Sequence, residues 1–471
     1  MASEPKADVT EVALQPISPL ADSPATDSIA DEMASVPVEK AVVRGGMFRS
    51  LRNYNYRLFA AGGVVSNVGT WMQRTAQDWL VLSLTGGSGT ALGITVALQF
   101  LPMLLFGLWG GVLADRYPKR RLLVVADSLM GLLALAMGVL IVSGAVQVWH
   151  VFVMAFLLGL LACVEVPTRQ AFVVEMVGRD DLPNAIALNS STFNLARVVG
   201  PALAGVLIAV LSTGPIFMLN ALTFGAVIAG LLLMRKSELR TPERVPRAKG
   251  QLREGLRYVG RRPELLLPIL IVAFVAVFAQ SFSTAIALMA TNVYNAGSSA
   301  FGIASSALAI GALSGALLAA RQIKPRRRYL LLGAAFFGIF QMMAAFAPGY
   351  LTFLLLLVPA GMAMITVNTT ANATVQMGAS HAMRGRVMGI YILVFTGGAP
   401  IGAPLVGWLS ELAGPRIAVL ATGTLSLLGV GLALLVTRLV AKRQGLTERI
   451  LPTRAAMRMF RRTITPNAAG H

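Results

Sequence analysis

Residues 107–121 read Gly-Leu-Trp-Gly-Gly-Val-Leu-Ala-Asp-Arg-Tyr-Pro-Lys-Arg-Arg, and they lie between two long apolar segments. Gly107 and Gly111 are four residues apart, so they share one helix face and are expected to let a neighbouring helix approach closely. Asp115 places one carboxylate inside a basic cluster. The basic residues of that cluster are Arg116, Lys119, Arg120 and Arg121. This pattern is typical of a helix that leaves a lipid bilayer.

The composition supports a membrane location for the whole chain. Of the 471 residues, 56% are hydrophobic and only 13% are charged, and the mean hydropathy is +0.70. This fraction of hydrophobic residues is higher, and the fraction of charged residues lower, than in a typical soluble enzyme. We therefore predict an integral membrane protein whose solvent is the lipid bilayer.

Apolar runs of about 20 residues, enough to cross about 30 Å of hydrocarbon as a helix, occur twelve times. The predicted spans 1 to 6 cover about residues 57–83, 90–114, 121–143, 149–169, 184–211 and 215–234. Spans 7 to 12 cover about residues 265–291, 299–320, 329–347, 350–375, 387–410 and 416–438. The fold class is therefore all-α, with six spans in each half of the chain.

The net charge of +19 suggests nucleic-acid binding for a soluble protein, but here it follows membrane topology. If both termini are cytoplasmic, all but three of the 40 Lys and Arg residues lie on the cytoplasmic side. Those three are Arg74, Arg197 and Arg416, and only Arg416 falls in an external loop. Because positive charge concentrates on the cytoplasmic side of membrane proteins, we predict a multi-pass protein of the cell membrane with no nucleic-acid partner.

The sequence carries few groups for metal or cofactor chemistry. The single cysteine, Cys163, excludes a disulfide framework, and the three histidines have no metal-ligand spacing. A phosphate-binding loop of the Gly-x4-Gly-Lys-Ser/Thr type is absent from the sequence. We therefore expect no cofactor, no metal site and no hydrolysis of nucleotide by that route.

The chain divides into five predicted segments. Residues 1–46 are rich in Ser, Pro, Ala and acidic residues, so we expect a disordered cytoplasmic tail. Residues 47–234 and 264–440 are the two six-helix bundles. Residues 235–263 form a cytoplasmic linker, whose second half has the helical spacing of an interfacial helix, although a solvated basic linker is equally compatible. Residues 441–471 form a basic cytoplasmic tail.

The two halves also resemble each other in sequence. The segment from Glu175 to Gly205 has the same order of features as the segment from Val375 to Gly407. Residues 315–328 form a degraded copy of the loop at 110–121, in which Ala320 replaces Asp115. Such internal repeats indicate a transporter built from two related bundles.

Four further motifs in the chain resemble those of a known transporter family. They are Trp71-Met-Gln-Arg-Thr-Ala-Gln-Asp-Trp-Leu80, Pro167-Thr-Arg-Gln-Ala171, the segment Asn184 to Asn189, and Arg384-Gly-Arg-Val-Met388. With the loop at 107–121, they resemble the major facilitator superfamily, and within it the enterobactin-exporter branch and its actinobacterial multidrug-efflux relatives. The resemblance implies two pseudo-symmetric six-helix bundles and export of small molecules, commonly by proton antiport. A monomer is the default for this fold.

The resemblance also implies roles for two motifs. Gly107, Gly111, Asp115, Arg116 and Arg120 match a family motif that acts as a conformational switch on the cytoplasmic side. In span 5, Arg197, Gly200, Pro201 and Gly205 partly match a motif associated with antiporters. A proline kink packed closely against span 8 is an equally compatible interpretation of that second motif.

Polar residues of the spans expected to line the central cavity are candidates for contact with substrate or protons. On span 1, Arg74 and Asp78 are four residues apart and are expected to neutralise each other, and on span 4, Glu165 and Arg169 have the same spacing. Glu165 and Asp78 are the candidate proton carriers, although a fixed salt bridge at Glu165 is equally compatible. The remaining candidates are Asn67, Gln77, Asn368 and Asn372.

The sequence thus predicts a secondary transporter that exports small hydrophobic or amphipathic molecules, such as drugs, siderophores or secondary metabolites. Numerous Met and Phe residues in the spans favour a pliable apolar cavity over a sugar or phosphate site. An importer or facilitator of the same fold is the main alternative. A non-transporting membrane sensor and a membrane-embedded transferase are less favoured, the latter because the sequence has no clustered catalytic side chains at a membrane face.

Overall fold

The computed structural model describes residues 48–239, 251–320, 325–380 and 383–443. Twelve long helices follow the twelve predicted spans in order. They are α1 (Tyr54–Leu84), α2 (Gly89–Arg116), α3 (Lys119–Val142), α4 (Val148–Gly178), α5 (Asp181–Leu211), α6 (Gly214–Leu233), α7 (Pro263–Val293), α8 (Ser298–Ala320), α9 (Arg327–Ala345), α10 (Tyr350–Gly378), α11 (Arg384–Ala413) and α12 (Pro415–Arg443). The short elements are single turns at Arg49–Arg52 and Lys236–Glu238, and a linker helix at Gln251–Gly260.

Eleven of the helices in the described residues are long and apolar enough to cross a membrane. The exception is α1, which is long enough but carries Gln73, Arg74, Gln77 and Asp78 in its second half. A membrane helix with this many polar groups must direct them toward the protein interior, since lipid offers no hydrogen-bond partners. The fold is that of an all-α integral membrane protein, and α1 is its most polar helix.

The chain reverses between α4 and α5 at Gly178. This residue has φ 74° and ψ −174°, a backbone conformation that side chains with a Cβ rarely adopt. Only residues 179 and 180 separate the two membrane helices, so their connection is very short.

Corresponding helix pairs in the two halves approach closely at glycines. A Cβ on Gly110 of α2 would overlap the carbonyl oxygen of Cys163 on α4, and a Cβ on Gly311 of α8 would overlap that of Val358 on α10. Small residues at such contacts allow helix backbones to pack directly in a membrane. The first and second halves of the chain therefore repeat the same packing of their second and fourth helices.

A second pair of contacts follows the same rule. A Cβ on Gly138 of α3 would lie 3.1 Å from the carbonyl oxygen of Gly214 on α6. In the second half, a Cβ on Gly338 of α9 would lie 2.9 Å from that of Gly423 on α12. These contacts support the pseudo-symmetry predicted from the sequence repeats.

The close helix approach expected at Gly107 is not formed in this conformation. A Cβ at this residue would meet only the side chain of Met103, from the preceding turn of its own helix. The close approach of a neighbouring helix occurs at Gly110 instead, on the face of α2 that meets α4. Four-residue spacing correctly places Gly107 and Gly111 on one face, but it does not determine which helix, if any, covers that face.

Parts of the predicted domain organisation lie outside the described residues. These are the tail at 1–46, the linker at 240–250 and the C-terminal tail beyond 443. Of the predicted linker at 235–263, the structure describes a short turn and the linker helix. Within the linker helix, Glu254 makes an ion pair with Arg386 of α11 at 2.5 Å, and the hydroxyl of Tyr258 accepts from the backbone of Ser380 at 3.2 Å. The linker helix thus docks onto the second half.

Candidate functional site

A cavity of about 290 Å³ lies inside the first six helices and is lined by five of the eight candidates for contact with substrate or protons. Its wall is unusually polar for the interior of a membrane protein. The polar lining residues are Ser66, Asn67, Thr70, Gln73, Arg74, Gln77, Gln99, Asp127, Glu165, Arg169, Gln170, Asn189 and Asn220. Of the predicted candidates, Asn67, Arg74, Gln77, Glu165 and Arg169 are therefore brought together.

Three charged side chains form a cluster on one wall of this cavity. The guanidinium of Arg169 on α4 pairs with the carboxylate of Glu165, one turn earlier, and its Nη2 lies 3.4 Å from Oδ1 of Asp127 on α3. Asp127 is fully buried, and its second oxygen has no hydrogen-bond partner in the described part of the chain. One arginine thus serves two carboxylates, and the cluster has one acidic group in excess.

Asp127 is a site residue that the sequence analysis missed. Its ion-pair partner lies 42 positions away in the sequence, so no local spacing connects them. The available signal was simpler, because Asp127 is the one charged residue within the apolar part of α3 that follows Arg121. An ionisable residue inside a membrane helix is costly and is usually retained for a function.

Arg74 and Asp78 act on each other through space, but they do not form the direct ion pair that their spacing allows. The two side chains make no ion pair within 4.0 Å among the salt bridges of the described residues, and Asp78 is not part of the cavity wall. The guanidinium carbon of Arg74 lies instead 5.1 Å from the centre of the Trp71 ring and 5.8 Å from that of Phe100. Spacing by one turn permits an ion pair, but two aromatic faces compete for this guanidinium.

Arg197, from the predicted antiporter motif, reaches the same tryptophan from α5. Its guanidinium carbon lies 5.7 Å from the centre of the Trp71 ring, and the ring of Phe193 packs edge-on against Trp71 at 5.7 Å. The backbone makes this arrangement possible, since a Cβ on Gly200 would lie 2.6 Å from the Cβ of Trp71. The motif on α5 therefore positions Trp71 through a direct contact with α1.

Arg197 also lines a second cavity, of about 40 Å³, between the two halves. The opposite wall comes from α7, α10 and α11, and includes Asn368 and Phe395. Asn368 is held in place by Tyr391, whose hydroxyl donates to its side-chain oxygen at 2.5 Å. Of the two predicted asparagines, Asn368 thus faces this cavity, whereas Asn372 accepts a hydrogen bond from Gln376 at 2.6 Å and lines neither cavity.

The remaining part of the α5 motif contacts α8. A Cβ on Gly205 would lie 2.8 Å from the carbonyl oxygen of Ser298, and the hydroxyl of Ser299 donates to the carbonyl of Gly205 at 3.2 Å. Gly302 of α8 packs against the carbonyl of Pro201. These are contacts between the two halves, so the motif joins the halves as well as placing Trp71.

The residues at 107–121 lie where α2 ends and α3 begins, at one end of the membrane helices. Asp115 and Arg116 are exposed, whereas Arg120 donates to the last carbonyl groups of α6, at 2.5 Å from Leu231 and 2.8 Å from Leu232. A cation at the carboxyl end of a helix is favourable because unpaired carbonyl groups concentrate negative charge there. Arg120 therefore anchors the start of α3 within its own half. We call this end of the molecule the Asp115 end.

The opposite end, which we call the Gly87 end, is closed by contacts between α2 and α11. A Cβ on Gly89 would lie 2.7 Å from the carbonyl oxygen of Gly407. The carboxylate of Glu411 accepts from Thr90 at 3.1 and 2.6 Å, and the side chain of Asn292 on α7 donates to the carbonyl of Gly87 at 3.0 Å. The two halves are thus bonded directly to each other at the Gly87 end.

Comparison with known proteins places this arrangement in a family. Residues 45–452 match the family described as transmembrane secretion effector. The chain is 26% identical over 361 residues to the staphyloferrin A transporter of Staphylococcus aureus, covering 76% of this chain and 90% of that one. It is 29% identical over 384 residues to the multidrug efflux pump Tap of Mycolicibacterium fortuitum, covering 79% and 93%. It is 24% identical over 357 residues to macrolide efflux protein A of Streptococcus pyogenes, covering 74% and 87%.

Solved structures support the same fold at lower sequence identity. A bacterial homologue of the human lysosomal transporter Spinster superposes with a TM-score of 0.66 at 14% identity, covering 83% of this chain and 98% of that one. A mutant form of the nucleoside transporter NupG gives a TM-score of 0.63 at 12% identity, covering 82% and 100%. These similarities concern the fold alone.

Proposed function

The chain belongs to the transmembrane secretion effector family of major facilitator transporters, and from this we propose that it exports small hydrophobic or amphipathic molecules in exchange for protons. It is a multi-pass membrane transporter and not an enzyme. Direction, driving ion and substrate class are the parts that we propose. We assign them from the charge pattern, the cavity and the relatives.

The packing between α2 and α11 carries the proposal of alternating access. Gly89, Gly93 and Leu104 lie on the face of α2 that meets α11. A Cβ on either glycine would contact the backbone of α11. Gly107 continues this row toward the Asp115 end, but a Cβ there would meet no atom of α11. Glycine contacts along this helix pair are thus found toward the Gly87 end, whereas Gly389 and Gly385, nearer the Asp115 end of α11, have no neighbour within 4 Å of a Cβ. This is the geometry expected of one state of a rocking transporter.

The direction of the open end follows from charge. The loops and tails on the Asp115 side contain nearly all of the Lys and Arg residues, so we assign this side to the cytoplasm. Both termini are then cytoplasmic, and the conformation described here opens inward. An exporter takes up its substrate in this state.

We assign proton exchange to Asp127, Glu165 and Arg169. Two carboxylates that share one guanidinium can take up one proton and leave a cluster without net charge. The unpartnered oxygen of Asp127 is available to receive that proton. Because the cluster lies in the cavity wall, its access to water changes when the halves rock.

The substrate class rests on the lining of the cavities and on the relatives. Apolar residues such as Met130, Leu158, Phe193 and Phe224 alternate with amide side chains in the larger cavity. A ligand that is apolar with a few polar groups fits such a wall. The names of the relatives, which include a siderophore transporter, a multidrug pump and a macrolide efflux protein, agree with this class.

The test is accumulation of fluorescent hydrophobic compounds in efflux-deficient cells that express this protein, with and without a protonophore. We expect lower accumulation than in cells with empty vector, and we expect the protonophore to abolish the difference. Asp115→Asn and Glu165→Gln should abolish it too, whereas Glu238→Gln, at an exposed carboxylate, should not. Higher accumulation would favour the importer alternative, and unchanged accumulation across the whole panel at verified membrane expression would contradict broad export.

A further inference from the structure

Two arginines from different helices approach one tryptophan, and each arginine lines one of the two cavities. The guanidinium carbons of Arg74 on α1 and Arg197 on α5 lie 5.1 and 5.7 Å from the centre of the Trp71 ring. Each guanidinium is a permanent cation, because arginine does not lose its proton in proteins. Two positive charges are thus concentrated around one aromatic side chain inside the membrane domain.

These two cations lack the partners that a third arginine has. Arg169 pairs with both Glu165 and Asp127. In the part of the chain that the structure describes, Arg74 and Arg197 make neither an ion pair within 4.0 Å nor a hydrogen bond. Asp78 acts on Arg74 through space without an ion-pair contact, while the charge that acts on Arg197 is Arg74 itself, a like charge.

Asp78 offsets part of the charge on Arg74, but in the described residues Arg197 has only the like charge of Arg74 near it, so this arrangement is unfavourable unless a further negative charge is supplied. Like charges repel strongly where the surroundings are apolar, and the aromatic contacts offset only part of that cost. Two arginines that served only packing would be replaced by apolar residues of similar size without loss. The missing partner is therefore expected to be an anion that enters the cavity.

The surrounding space admits such a partner. Arg74 lines the larger cavity, and Arg197 lines the smaller one between the halves, opposite Asn368. An anionic group beside these arginines would receive guanidinium N–H donors, which match the planar geometry of a carboxylate. The ring of Phe193, which lines the larger cavity and packs against Trp71, provides an apolar face for the rest of the molecule.

We propose that Arg74 and Arg197 bind an anionic group of the transported molecule, such as a carboxylate, with Phe193, packed against Trp71, contacting the apolar part next to it. This inference rests on the proposed transport function and names its substrate class. Amphipathic acids are then preferred over hydrophobic cations. Arg74 and Arg197 both belong to the first half, and Asn368 faces Arg197 from the second half across the smaller cavity. A bound anion that also contacts Asn368 links the two walls that move during transport.

Binding to the purified full-length protein tests this proposal without relying on transport. The probes are pyrenebutyrate and its methyl ester, which share one apolar fluorescent ring system and differ by a single carboxylate. Equilibrium dialysis against protein in detergent gives both affinities, and micelles without protein give the partition baseline. The variants are Arg74→Gln, Arg197→Gln and Arg197→Lys. The control is Arg328→Gln, which removes an exposed arginine at the start of α9.

We expect each glutamine variant to weaken binding of the acid by about tenfold or more, with little change for the ester. The lysine variant should retain part of the preference for the acid, and the control should behave as the wild type. Absence of measurable acid binding by the wild type, or equal loss of acid and ester binding in the glutamine variants, would overturn the proposal. An acid preference in a protein that shows no flux in cells would support this site and contradict export instead.

Discussion

Glu411, near the end of α11, accepts hydrogen bonds from the backbone N–H and the hydroxyl of Thr90 at the start of α2, at 3.1 and 2.6 Å. The same carboxylate also accepts from the hydroxyl of Ser88, the residue that caps α2. A carboxylate at the amino end of a helix is stabilised by the unpaired N–H groups there. Because the two helices belong to different halves, this contact must break whenever the Gly87 end opens.

Glu411→Gln should therefore favour the state that is open at the Gly87 end. An amide cannot reproduce three charge-assisted contacts, and the expected loss is about 1–3 kcal/mol. Spin labels at Ser83 and Leu412, in a background lacking Cys163, would report the distance between the two halves. We expect the longer distance to gain population. Glu264→Gln, at an exposed carboxylate of α7, is the control, and an unchanged distance distribution would show that Glu411 does not hold this end closed.

Arg169 should matter more for stability than either of its partners. Arg169→Gln leaves Glu165 and the buried Asp127 without a cation, and removing one partner from a buried charge network costs about 3–5 kcal/mol. Asp127→Asn leaves one complete ion pair and should cost much less. Melting temperatures of the purified variants test this order. Equal melting temperatures for both variants would mean that water screens the cluster more than its burial suggests.

Asp127→Asn should uncouple transport from protons. The substitution keeps the shape of the side chain but removes the acidic group in excess, so the cluster can no longer take up a proton with the same change in charge. In inverted vesicles, we expect addition of a transported substrate to release fewer protons than with wild type, even where some substrate still moves. Asp78→Asn is the informative comparison, since Asp78 lies outside the cavity wall. A larger effect at Asp78 than at Asp127 would reverse the assignment.

How far the sequence predicts this site depends on the distance between partners along the chain. The ion pair between Glu165 and Arg169 could be predicted because one helical turn separates them. The addition of Asp127 could not, because it depends on how α3 packs against α4. Similarly, spacing allowed an ion pair between Arg74 and Asp78, but the rings of Trp71 and Phe100 determine where the guanidinium lies.

Helix packing shows the same limit. The order of the long helices follows from apolar length for eleven of the twelve described, and α1 is the exception because of its polar second half. Which glycine meets a neighbouring backbone depends on the rotation of each helix about its axis. A difference of three residues therefore separates the expected contact at Gly107 from the observed one at Gly110. Membrane helices bury apolar groups both against each other and against lipid, so their hydrophobic pattern does not identify the face that packs.

Closure of the Gly87 end should depend on the absence of a side chain at Gly407. A Cβ at this position would overlap the carbonyl oxygen of Gly89 on α2, and a backbone group has little room to yield. Gly407→Ala is expected to separate α2 from α11 and to reduce export sharply. Gly389→Ala, on the same helix, is the matched control because a Cβ there meets no atom within 4 Å.

The two alanine variants can be compared by export in cells and by melting temperature. The control should keep wild-type export and stay within about 1 kcal/mol of wild-type stability, since alanine favours the helix by about that amount over glycine. If Gly407→Ala exported as well as Gly389→Ala, the tight contact between α2 and α11 would not be required in the transport cycle. Reduced export in the Gly407 variant at normal expression would instead show that transport needs this end to close.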